Sequence, residues 1–121
     1  MTSELEKILG PLEAEILETL WQLGKPASVR NVLETLNKGR RPPLAYTTVM
    51  TVLSRLAEKG VLTRQQEGRG YVYEAAVSDA AELAVRNVVR EFGDAAVAQF
   101  VETARADPKL MRRLTRLMRE E

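Results

Sequence analysis

One change of period limits what this 121-residue chain can fold into. Up to Gly60 the apolar residues recur at helical spacing; from Val61 to Val77 they alternate as in strands, and beyond Ser78 the helical spacing returns. Two strands joined by one turn are marginal alone, so this hairpin must pack on the helices around it. The chain is therefore mainly α with a small antiparallel β element.

In chain order, Met1 to Leu9 is a charged lead-in, and Gly10-Pro11 marks a helix start with Pro in its first turn. Leu12, Ile16, Leu20 and Leu23 form an apolar stripe, and Trp21 beside it is a core anchor because a large aromatic mainly supplies buried area. Gly24-Lys25-Pro26 breaks that helix. Ser28 then caps a second one carrying Val29, Val32, Leu33 and Leu36. Asn37 to Pro43 is a loop, since its two prolines stop helix continuation, and Lys38, Arg40 and Arg41 make it basic.

The third helix, Leu44 to Gly60, has two unlike faces. Val49, Val52, Leu53 and Leu56 fall in one narrow arc; Thr47, Thr51, Ser54 and Glu58 point the opposite way, with Thr48, Met50 and Arg55 on the flanks. A helix face made only for solubility usually carries Glu and Lys. Short hydroxyls and a thioether instead let the face lie close to another surface, and they suit base edges, where a hydroxyl bonds several bases and a methyl meets the thymine methyl. Lys59-Gly60 ends the helix with a cation and a residue free to adopt positive φ. Val61 to Gln66 and Tyr71 to Val77 are the strands, and Glu67-Gly68-Arg69-Gly70 is the turn.

Three helices followed by a two-stranded ribbon with a basic tip is the order of a winged helix-turn-helix domain, expected here over residues 1–77. In that geometry the third helix enters the major groove while loop and wing hold the phosphates. Thr47, Thr48, Met50, Thr51 and Ser54 are the candidate groove residues, with Arg40, Arg41, Arg55 and Arg69 as phosphate contacts. Charge agrees in sign: Lys25 to Tyr73 holds nine Lys and Arg against three Glu, whereas the whole chain has a formal net charge of only +1. The absence of Cys and His removes disulfides, thiolate nucleophiles, His bases and the usual zinc ligands. No acidic pair is marked out beside an apolar pocket, so neither an enzyme nor a metal or other cofactor is expected. Without a signal peptide or a run of about 18 apolar residues, the cytoplasm is the expected compartment and no membrane insertion is expected.

Residues 78–121 read as three further helices. Asp79 and Glu82 suggest a capping box, Asp94 a cap after Gly93, and Asp107-Pro108 a third start. Leu83, Val85, Val88, Val89 and Phe92, then Val97, Phe100, Val101 and Ala104, then Leu110, Leu114, Leu117 and Met118 form stripes too thin for an independent core. They call for a partner surface, and a second copy is the simplest, because two-fold dimers are the commonest assemblies and give a groove-reading helix two half-sites. Leu83, Val88, Phe92, Val97, Phe100, Val101, Leu110, Leu114 and Leu117 are thus the expected dimerisation residues; folding back onto the winged domain is the other arrangement. Arg112, Arg113, Arg116 and Arg119, opposite the Leu stripe, read as a solvated helix face, with a DNA contact as the alternative.

Gly10-Pro11-Leu12-Glu13 through Trp21, Ser28-Val29-Arg30, Ala45 to Leu53 with Arg55-Leu56 and Lys59-Gly60, Gly68-Arg69, Tyr71-Val72-Tyr73 and Phe100-Val101-Glu102 carry a family pattern. Over nearly its whole length the chain resembles the penicillinase-repressor and methicillin-resistance-repressor family of winged-helix transcriptional regulators. The resemblance implies a homodimer that represses transcription from a pseudo-palindromic double-stranded DNA operator, of β-lactam-resistance or related stress genes. It also implies relief by proteolysis or another signal: in some members a membrane sensor protease leads to cleavage of an Asn-Phe bond in the dimerisation region. The matching bond here is Gln99-Phe100, with Gln in place of Asn. Copper-sensing relatives use Cys clusters, which this chain lacks. Two other readings of the residues remain open, a winged-helix module for protein–protein interaction and a regulator that senses a small ligand.

Overall fold

The computed structural model describes residues Glu4 to Glu120 and divides into two compact units, with the division between Leu83 and Ala84. The first unit contains α1 (Pro11–Leu23), β1 (Ala27–Ser28), α2 (Val29–Asn37), α3 (Tyr46–Glu58), β2 (Leu62–Glu67), β3 (Gly70–Ala75) and the first turn of α4 (Ala80–Phe92). The three strands form one antiparallel sheet in the order β1-β3-β2. This is the winged helix-turn-helix order with one strand more than the hairpin alone supplies.

Each helix of this unit starts and stops for local reasons. At the head of α1, Glu13 accepts the Gly10 N–H at 3.1 Å, and Pro11 occupies the first turn, where its missing N–H costs nothing. Ser28 caps α2, its hydroxyl accepting the Asn31 N–H at 3.1 Å. At the end of α3 the Val61 N–H reaches Leu56 O at 2.9 Å and the Gly60 N–H reaches Ala57 O at 3.1 Å. That paired closure requires a left-handed residue, and Gly60 supplies it at φ 77°. Across the wing tip Glu67 pairs with Gly70, leaving Gly68 and Arg69 as the turn. Gly68, at φ 64°, takes the positive-φ first position that such a two-residue turn requires.

The core lies where α1, α2 and α3 converge over the base of the sheet. Ile16, Leu17, Val32, Val49, Leu53 and Leu56 have 0% of their surface exposed, and Tyr73, Leu62 and Val77 close the core from the sheet side. Trp21 is partly buried against it and also donates its indole N–H to Val77 O at 2.8 Å, tying α1 to the chain leaving β3. The lead-in is more than a charged tail: Glu4–Lys7 is a 3-10 turn that places Leu5 and Leu9 in the core, while Met1 to Ser3 lie outside the described residues.

The second unit holds the rest of α4, then α5 (Asp94–Arg105) and α6 (Pro108–Arg119). The start of α4 is capped as the sequence suggests, Asp79 accepting the Glu82 N–H at 2.8 Å, and Glu82 reaches back to the Ser78 N–H at 2.8 Å. Asp107 caps α6 through the Lys109 and Leu110 N–H groups. Asp94 is not a cap. The N-cap position of α5 is Gly93, and Asp94 is its first helical residue, where its charge still favours the positive helix end.

Leu83 requires a second correction. Expected among the dimerisation residues, it is 2% exposed and belongs to the core of the first unit, because the first turn of α4 packs there before the helix continues. The stripes beyond it are bare. Val85, Val88, Val89, Phe92, Val97, Phe100, Val101, Leu117 and Met118 are all exposed, Leu110 and Leu114 are half-buried, and Ala104 is buried.

Candidate nucleic-acid interface

The candidate site begins with how α3 is held. Asn37, the last residue of α2, donates its side-chain amide to Leu44 O at 3.1 Å and accepts the Leu44 N–H on its amide oxygen at 2.8 Å. One side chain thereby satisfies both backbone groups of Leu44 and closes the loop between the helices. Arg40 within that loop donates to Leu36 O at 3.3 Å and to the Glu15 carboxylate of α1 at 2.6 Å. At the other end of α3, Lys59 Nζ lies 3.3 Å from Glu13 Oε2, so α1 grips the helix assembly near both ends. Such surface pairs add little stability; their effect is on orientation.

Held this way, α3 buries Val49, Leu53 and Leu56 and turns Thr47, Thr48, Met50, Thr51 and Arg55 to solvent, with Ser54 half-buried at the edge. The exposed surface is shallow and almost free of charge until Arg55 and Glu58. Its N-terminal end is also unusual. Ala45 occupies the cap position and makes no side-chain hydrogen bond, and the first turn carries no acid. By contrast α2, α4 and α6 each have a side-chain oxygen on an early N–H, and α1 and α5, which also lack a side-chain cap, carry an acid in the first turn. The leading N–H groups of α3 are therefore left for an outside acceptor, at the end of the helix whose dipole favours an anion.

The cations expected around this face separate into two sets. Arg41, Arg55 and Arg69 are exposed, Arg69 at the tip of the wing turn. Arg40, expected at a phosphate, is instead committed to Glu15 and Leu36 O, so its principal role is to fix the loop. Lys59 is likewise drawn to Glu13. Two features of the site lie outside what the sequence pattern points to. Tyr46, 45% exposed in the first turn of α3, presents an aromatic edge beside Thr47. On the wing, Arg64 stacks over the Tyr71 ring at 4.6 Å from its centroid, the two being diagonal neighbours on the same sheet face, since Arg64 pairs with Tyr73 and Gln66 with Tyr71. A readable signal did exist for the bare helix end, because Ala at an N-cap position is a poor capping residue. None existed for Arg40, whose partner is 25 residues away.

Among the described residues no helix is long and apolar enough to cross a membrane. The sequence profile described as penicillinase repressor matches residues 9–120. The transcriptional regulator BlaI of Mycobacterium tuberculosis, in strains CDC 1551 and H37Rv alike, is 38% identical over 107 residues, covering 82% of this chain and 75% of its own. Among solved structures, one of the DNA-recognition and protein-interaction domains of HOP2 is similar over 52% of this chain and 95% of its own, at 27% identity and a TM-score of 0.47. Rv0081 of M. tuberculosis is similar over 81% of this chain and 89% of its own, at 23% identity and the same TM-score of 0.47.

Proposed function

The chain belongs to the penicillinase repressor family, and from that premise we propose that it represses transcription by binding, as a homodimer, a two-fold symmetric operator in double-stranded DNA. The observation that carries this reading is the outward face of α3: Thr47, Thr48, Met50 and Thr51 are exposed on a helix held rigidly from behind, and its N-terminus is uncapped. In the groove, hydroxyls and methyl groups read base edges, while the free N–H groups, Arg41, Arg55 and Arg69 meet phosphates and set the register. The 1–77 region is the DNA-binding part in this reading.

Residues 78–121 supply the dimer. Val88, Phe92, Val97, Phe100, Val101 and Leu117 offer an apolar surface that water leaves uncompensated in a single chain, and a second copy presents the same surface in return. Blocking a promoter requires no chemistry, so the protein acts by occupancy, in the cytoplasm where the DNA is. Relief comes through proteolysis or another signal; the bond that matches the cleavage site of some family members, Gln99-Phe100, lies in the middle of α5, where a cut downstream of a membrane sensor protease would separate the two halves of the apolar surface.

Selection of binding sites from a random DNA pool with the full chain tests the core of this reading. A two-fold symmetric motif bound by two protomers is the expected result. Failure to enrich any motif, with no binding to duplex DNA, overturns it and shifts the role of α3 to protein recognition. For relief, the mass of the protein recovered from cells exposed to a β-lactam decides: fragments ending at Gln99 are expected, and an intact chain during derepression excludes the cleavage.

A further inference from the structure

The last helix carries a charge pattern that the proposed function does not use. α6 reads PKLMRRLTRLMR, with five cations and no carboxylate between its ends. At helical spacing Lys109, Arg112, Arg116 and Arg119 fall within an arc of about 80°, over roughly 15 Å of axis, with Arg113 on its flank. All five are exposed, whereas Leu110, Met111 and Leu114 on the opposite side are half-buried. None of the five makes an ion pair among the described residues.

That isolation distinguishes α6 from its neighbour. In α5, Arg105 lies 3.2 Å from Glu102 one turn earlier, the usual arrangement of a solvated helix face. In α6 the spacings of three and four residues bring like charges together, and Lys109 and Arg112 stand near the positive end of the helix, which Asp107 caps. Solubility alone does not call for such a stripe, because a mixed Glu and Lys face gives it without the repulsion. A polyanion offsets the repulsion directly, and guanidinium groups match phosphate oxygens in pairs.

We propose that the Lys109, Arg112, Arg116, Arg119 stripe of α6 is a second, sequence-independent contact with the phosphate backbone of duplex DNA. This rests on the DNA-binding reading above and adds to it. α3 selects the site, and α6 raises the affinity of the protein for any duplex. Arg112, Arg116 and Arg119 also line one shallow furrow, with Met111, Thr115 and Glu120. A duplex is favoured over a lipid surface because the side of α6 that a bilayer would take up is the side already partly packed.

The test compares the full-length protein with its R112Q/R116Q/R119Q variant, on a duplex bearing the selected motif and on an unrelated duplex, across a salt series. The logarithmic salt slope is expected to fall by roughly 0.9 for each phosphate left without its cation, about 2.7 per bound protomer, on both duplexes, with the selected motif unchanged. The R112K/R116K/R119K variant keeps the charge and is expected to keep most of the slope, which separates removal of charge from a failure to fold. Equal slopes for wild type and the Gln variant overturn the inference while the motif selected by wild type preserves the reading of α3. Wild type that binds no duplex overturns both. Capture by vesicles of anionic phospholipid that the Gln variant loses, with DNA slopes unchanged, overturns the inference in favour of a lipid surface.

Discussion

α3 and α5 are helices of nearly equal length, thirteen and twelve residues, with comparable apolar stripes, yet they end in opposite situations. Val49, Leu53 and Leu56 on α3 are sealed, while Val97, Phe100 and Val101 on α5 remain 36 to 54% exposed. The stripe states which side of a helix is apolar, and the neighbours decide whether anything covers it. In the first unit two more helices and a sheet arrive from other parts of the chain and close over α3. In the second the helices are too few to enclose one another, and the uncovered surface is what a dimer would use.

Four substitutions test this contrast. The largest effect is expected at Leu53→Ala, which opens a cavity in the closed core and should cost about 2 to 5 kcal/mol of unfolding free energy in denaturant titration. A loss below about 1 kcal/mol would mean that the core is looser than its burial indicates. Phe92→Glu touches only the bare surface, so the single chain should fold normally while the dimer weakens by about 2 kcal/mol or more, a hot-spot-sized loss visible in sedimentation. An unchanged dimer there would place the interface elsewhere.

Smaller effects probe how the closed unit presents α3. Asn37→Ala removes both bonds to Leu44 and should cost about 1 to 3 kcal/mol, with weaker operator binding because the helix loses its lead-in geometry. Unaltered stability and binding would show that packing alone sets α3. Arg69→Ala should leave stability unchanged and reduce the salt slope by roughly one unit per bound protomer on every sequence, a smaller and purely electrostatic loss. An unaltered slope would remove the wing tip from the interface.

Much of the first unit is legible in its residues because its signals are local. Gly10-Pro11, Ser28, Gly60 and the Gly68 turn each act on backbone groups within a few residues, and Val49, Leu53 and Leu56 declare a face by spacing alone. The exposed row of Thr47, Thr48, Met50 and Thr51 follows from the same periodicity. β1 has no such signal: two residues, Ala27 and Ser28, become a strand only because Tyr73 and Val72 lie beside them. Arg40 also has none, since a basic loop looks the same whether its arginine faces solvent or Glu15.

The helices, the hairpin, the caps and the character of each face are written in the residue order, because they depend on interactions within a few residues. The closed fold was needed to draw Leu83 into the winged core, to bring in Leu5 and Leu9 from the lead-in, to set Trp21 on Val77 O, and to let Asn37 fasten the start of α3. Each of these depends on which surface a residue meets after the chain has closed on itself. Periodicity carries no information about that meeting, because the same apolar side chain lowers the free energy against any well-fitted apolar neighbour.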